Sequence, residues 1–195
     1  CGAGWLGVPG LAAALLASGV AVLATGAMHE DGLADVADGF GGGKDAAAKL
    51  DIKRDSRVGT YGVVAVVLAI GLLASAMATF SRGGLVLFVF VSVVAMSRAM
   101  MRVPMTLLPP ARAEGLGAQA VLSGPFALCI ALGIALALSL PLLIGALVAT
   151  WVMGMVAFGM VILARRQIGG QSGDVLGATQ KLTEVSGWLV LASMV

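Results

Sequence analysis

The chain has 195 residues, 59% of them hydrophobic and only 11% charged, with a mean hydropathy of +1.04. Soluble domains carry about a quarter charged residues, so this composition points to a lipid bilayer and excludes an ordinary water-soluble domain. A net charge of +2 offers no concentrated basic face, and no nucleic-acid partner is expected.

A hydrocarbon core about 30 Å thick needs roughly 20 apolar residues in a helix. The stretches that meet this are 5–28, 61–80, 85–101, 121–139, 142–164 and a weaker one within 175–195. The apolar run from 121 to 164 is too long for one crossing and divides near Pro141, where proline breaks the backbone ladder. The sequence therefore predicts an all-α, polytopic integral membrane bundle of about six transmembrane helices, with one membrane-embedded domain over 1–195. No charged segment precedes the first apolar run, so no signal peptide is expected. The opening "CGAGWLG" suggests that an N-terminal part is absent. Cys1 and Cys129 lie far apart, suggesting neither a disulfide framework nor a zinc site.

With six spans the loops alternate sides. Segments 29–60, 102–120 and 165–174 fall together and carry Lys44, Lys49, Lys53, Arg54, Arg57, Arg102, Arg112, Arg165 and Arg166; the opposite loops carry Arg82. The positive-inside rule puts the basic loops in the cytoplasm, and the cytoplasmic (inner) membrane is the expected location.

"HEDGLADVADGFGGG" (29–43) follows the first span. Asp31, Asp35 and Asp38 stand at i, i+4 and i+7, an arc of roughly 60° on a helix. Like charges on one stripe repel, and a solvated helix face normally intersperses lysines. A divalent cation reverses the sign of that repulsion. Carboxylate oxygens are the hard ligands of magnesium, manganese or calcium, and His29, the single histidine, makes zinc a poor fit. Gly39 with Gly41–Gly43 is placed to end the helix and let backbone approach a phosphate. Asp51 and Asp55 add a second acidic pair, and two such segments facing each other suit a two-metal site. Asp45 and Asp51 also read simply as a solvated cap.

Cations come next. Lys53, Arg54 and Arg57 follow the acids. Arg98 lies in an apolar span one turn before Arg102, and a cation inside a span is a functional candidate by default, with snorkelling to the surface as the alternative. Arg165 and Arg166 read equally well as anchors. Asp174 precedes a helical run as N-cap, site residue or both. Gln180, Lys181 and Glu184 enter the last span, either as an i,i+3 pair or lining a wet cavity.

Four blocks in this order, "HEDGLADVADGFGGG", "DSRVGTYG", "MSRAMMR" with "ARAEGLG", and "GGQSGDVLGA", resemble the adenosylcobinamide-GDP ribazoletransferases, also called cobalamin synthases. The family's H-x-D-G-x-x-D-x-x-D-G block falls on His29, Asp31, Gly32, Asp35, Asp38 and Gly39. Its D-S-x-x-G block falls on Asp55, Ser56 and Gly59. Its T-G-D-x-x-G-A block falls on Gly173, Asp174, Gly177 and Ala178, with Ser172 in place of threonine. Glu30 stands where family members often carry an apolar residue and is not assigned to metal. The family usually begins with a further hydrophobic segment that is not seen here.

The resemblance implies a magnesium-dependent membrane phosphotransferase late in cobalamin synthesis. It would join adenosylcobinamide-GDP to alpha-ribazole, or to its 5′-phosphate, and release GMP. Asp31, Asp35, Asp38 and Asp55 are the expected magnesium ligands. Lys53, Ser56, Arg57, Arg98, Arg102, Gly39 and Asp174 are the expected substrate contacts, and Asp55 or His29 takes the proton. Lipid is the expected surrounding, and a homo-oligomer is compatible with the sequence. Two other readings stand beside this one. "DVADG" is similar to the opening of the CDP-alcohol phosphotransferases, which make phospholipids, though their full pattern is not matched. A divalent-cation transporter would also use intramembrane acids.

Overall fold

The computed structural model describes residues 7–43, 45, 58–80, 84–111 and 124–195. Helices dominate: α1 (Gly10–Ala24), α2 (Met28–Gly42), α3 (Thr60–Thr79), α4 (Val86–Met100), α5 (Arg102–Leu107), α6 (Gly124–Ser139), a 3-10 turn (Leu140–Leu142), α7 (Ile144–Ile168) and α8 (Gly173–Ala192). Among the described residues, Thr60–Thr79, Val86–Leu107, Gly124–Leu142 and Ile144–Ile168 are each long and apolar enough to cross a membrane. Large apolar side chains on these helices point outward, among them Phe126, Trp151 and Ile144, as a lipid-facing surface requires.

Two of the six expected spans take a different form. The first, 5–28, ends early: α1 stops at Ala24, and α2 leaves it at 90° after a short break. Ala27, at a left-handed φ of 57°, makes that corner. The acidic block therefore sits on a helix of its own, and the bent pair makes a fifth span only if the two helices count as one. The sixth, 175–195, does form a helix of spanning length, but Asp174, Lys181 and Glu184 keep it from being a lipid-facing one. It is instead the central post of the bundle, with Val175, Ala178, Thr179, Gln180, Thr183, Val185 and Trp188 all buried. It packs against α2, α3, α4, α5 and α7, and Trp188 meets Phe80 edge to face at 5.8 Å.

The division near Pro141 is as expected. The 3-10 turn ends at Leu143, whose φ of 47° reverses the chain into α7. At the other end of the bundle, segments far apart in sequence gather. Ala111 N–H donates to the Gln171 carbonyl and Gln171 N–H to the Pro109 carbonyl, each at 2.8 Å, which pins the α5 exit to the α8 entry. The start of α3 meets the end of α2 at the same end.

Candidate active site

The site is built on one helix crossing. A methyl group added at Gly32 would come within 2.9 Å of the Asp174 carbonyl oxygen, and one at Gly177 within 3.2 Å of the Met28 carbonyl. Only glycine at both positions lets α2 and α8 approach so closely, which is how membrane helices associate without a hydrophobic drive. The consequence is chemical. The acidic block and the glycine–aspartate block, about 140 residues apart, become neighbours, with the Asp174 backbone against Gly32, one residue on from Asp31. Asp31 is exposed; Asp35 and Asp174 are half-buried.

Asp38 lies on the same helix and has another occupation. Its Oδ2 accepts from Gly59 N–H at 2.7 Å and its Oδ1 from Gly62 N–H at 2.9 Å. The α3 N-terminus has no side-chain cap of its own, so a carboxylate from a different helix satisfies its orphan donors and meets its dipole. Gly59 and Gly62 are needed there, because a Cβ at either would collide with that carboxylate. Both Asp38 oxygens are thus engaged by backbone, a duty that the i, i+4, i+7 spacing does not reveal.

Other expectations fare differently. The glycine run does end α2, at Gly42 and Gly43 rather than at Gly39. Gly39 is buried within the helix, which runs on to Gly42 with Gly43 as C-cap, so its backbone lies in a helix rather than a phosphate loop. The N-cap of α8 is Ser172, whose Oγ accepts from Val175 N–H at 3.4 Å; Asp174 sits in the first turn instead. An acid there still suits the positive end of the helix dipole. Arg98 is exposed in the last turn of α4 and donates to the Val94 carbonyl at 3.1 Å, while Arg102 opens α5, half-buried. Asp51, Lys53, Arg54, Asp55, Ser56 and Arg57 lie outside the described residues.

The last-span residues left open by the sequence form a buried network. Lys181 Nζ bridges Glu184 Oε2 at 2.9 Å, as the i,i+3 spacing allowed, and also Glu30 Oε1 at 2.7 Å across the crossing. Glu30 had no assigned role. One signal was available: it shares the i, i+3, i+4 face of Leu33 and Ala34, both buried. His29 is half-buried beside it, its Nδ1 enclosed and without a hydrogen-bond partner.

Asp31 and Asp35 are donors of the hard oxygen kind that magnesium prefers. Among the described residues no three His, Cys, Asp or Glu side chains form a metal cage. Magnesium bound with a nucleotide does not need one, since it takes one or two carboxylates and completes its shell with phosphate and water. Asp31, exposed, and Asp35, half-buried, are hard oxygen donors one turn apart on one helix face.

The chain matches the family model for cobalamin-5-phosphate synthase over residues 1–192. It is 45% identical to a protein of Rhizobium meliloti (strain 1021), with 97% of this chain and 77% of that one aligned. It is 44% identical to one from Bradyrhizobium diazoefficiens (96% and 73%) and 43% identical to one from Mesorhizobium japonicum (91% and 69%). All three are named adenosylcobinamide-GDP ribazoletransferase. No solved structure matches the chain.

Proposed function

The chain belongs to the cobalamin-5-phosphate synthase family, and from that premise we propose that it is a membrane-embedded adenosylcobinamide-GDP ribazoletransferase. It transfers the adenosylcobinamide-phosphate group to alpha-ribazole or its 5′-phosphate and releases GMP, a late step of cobalamin synthesis. The family match decides against the phospholipid-synthase and cation-transporter readings. The observation that carries the proposal is the Gly32–Gly177 crossing, which joins two of the four family blocks into one site.

The chemistry follows from the groups at hand. Asp31 and Asp35, together with Asp55, would hold magnesium, and the ion would supply positive charge against the diphosphate. Arg98 and Arg102, with Lys53 and Arg57, orient the phosphoryl oxygens, to which guanidinium forks are matched in shape. The ribazole hydroxyl oxygen forms a bond to the phosphorus that bears cobinamide. The bond from that phosphorus to the oxygen bridging to GMP breaks, and GMP leaves with the electron pair. The hydroxyl proton passes to a base, Asp55 or His29. Positive charge arranged before the reaction contributes most of the rate. The site faces the cytoplasm across the inner membrane, following the basic loops.

The test is purified full-length protein in detergent with adenosylcobinamide-GDP, magnesium, and either alpha-ribazole or its 5′-phosphate. GMP release coupled to cobalamin or cobalamin-phosphate formation is expected. A folded protein that releases no GMP with either acceptor overturns the proposal.

A further inference from the structure

Glu30 stands between His29 and Asp31 in sequence, yet it turns inward. It is 8% exposed, Lys181 5% and Glu184 9%. Beyond the two bridges of Lys181, Gln180 Nε2 donates to the shared Glu184 Oε2 at 3.4 Å and to Ser97 Oγ at 3.2 Å. The contacts therefore run without a gap from α2 through α8 to α4. Each end of that path lies one residue from an outward functional side chain: Asp31 follows Glu30, and Arg98 follows Ser97. Consecutive helical residues are rotated by about 100°, so an anchored interior residue sets the direction of its exposed neighbour.

Stability does not account for this network. Desolvation largely offsets the attraction of a buried ion pair, and apolar side chains of similar volume often do as well or better. Here two carboxylates face one ammonium, which makes burial costlier still. What the network supplies is register. The Gly32–Gly177 contact is smooth, and helices touching through glycine can slide along each other. A hydrogen-bonded ion pair is satisfied in one alignment only.

We propose that Glu30, Lys181 and Glu184, continued by Gln180 and Ser97, are positioning residues that fix the carboxylates of α2 against the guanidinium group of Arg98 on α4. The proposal rests on the ribazoletransferase reading for its catalytic consequence.

The experiment compares wild type, Glu30→Gln, and the exchange Glu30→Lys with Lys181→Glu, which keeps two carboxylates and one ammonium. Nitroxides on Met28→Cys and Leu107→Cys, in a background of Cys1→Ser and Cys129→Ser, report without magnesium or substrate the separation of α2 from α5, which continues α4 within the single span Val86–Leu107. Glu30→Gln is expected to broaden the distance distribution and lower kcat about tenfold or more, with KM changed less than about threefold, since small misplacements of reacting groups act on the chemical step. The exchange is expected to restore a narrow distribution and most of kcat. A Glu30→Gln protein with wild-type kcat, or with reduced kcat and an unbroadened distribution, overturns the proposal. Should Glu30→Gln not accumulate folded, Glu30→Asp, which keeps the charge and shortens its reach, is judged by the same two measurements. If wild type itself releases no GMP, the enzymatic reading fails, and the distance distributions still decide the positioning role.

Discussion

Asp35 and Asp38 lie three residues apart on one helix, both half-buried, and in the sequence they are members of the same acidic stripe. In the fold they face different neighbours. Asp35 stands on the helix that crosses α8 through Gly32, whereas Asp38 reaches the start of α3 and accepts from the backbone of Gly59 and Gly62. Glu30, near the start of the same helix, meets an ammonium in the bundle interior. The comparison teaches that a carboxylate's role here is set by what the neighbouring helix presents, since the group itself is the same in each case.

Mutagenesis can break that comparison. The largest effect is expected from Asp35→Asn. GMP release should fall by about a hundredfold or more, the scale for removing one element of electrostatic stabilisation, with little change in the thermal transition measured without magnesium. If the transition falls and activity per folded molecule does not, Asp35 is structural and the contrast with Asp38 disappears. Asp38→Ala should do the reverse. Losing the charged acceptor for two N–H groups should destabilise the magnesium-free protein by about 2 kcal/mol, read from thermal unfolding in detergent. An Asp38→Ala protein with unchanged stability and a lost magnesium requirement would return Asp38 to the metal site. Arg98→Lys is the mildest change. It keeps the charge but loses the fork, so a rise of about tenfold in KM for adenosylcobinamide-GDP is expected. No change would reduce Arg98 to a helix-end cation that only meets the dipole of α4.

Much of this architecture was legible beforehand. Hydrophobic runs of the right length marked the spans, because lipid leaves a backbone no partner but itself. Pro141 marked the break between α6 and α7. The helical spacing of Asp31, Asp35 and Asp38 marked α2. The 90° corner at Thr25–Ala27 was not legible, since it lies in an apolar run with no proline. Nor was the cap of α8: Ser172 and Asp174 are both good N-cap residues, and only the position of the first turn separates them.

The amino-acid sequence by itself determined the solvent this protein lives in, the family to which it belongs, and which residues carry charge near the membrane boundary. Those properties follow from composition and short-range period, which every segment expresses locally. Tertiary structure decided what each carboxylate meets. It placed two glycines against each other and so brought Asp174 to the acidic helix, spent Asp38 on a neighbour's backbone, and paired Glu30 with Lys181 from about 150 residues away. Partners so distant in sequence are chosen by how helices cross, and no local pattern of letters carries that information.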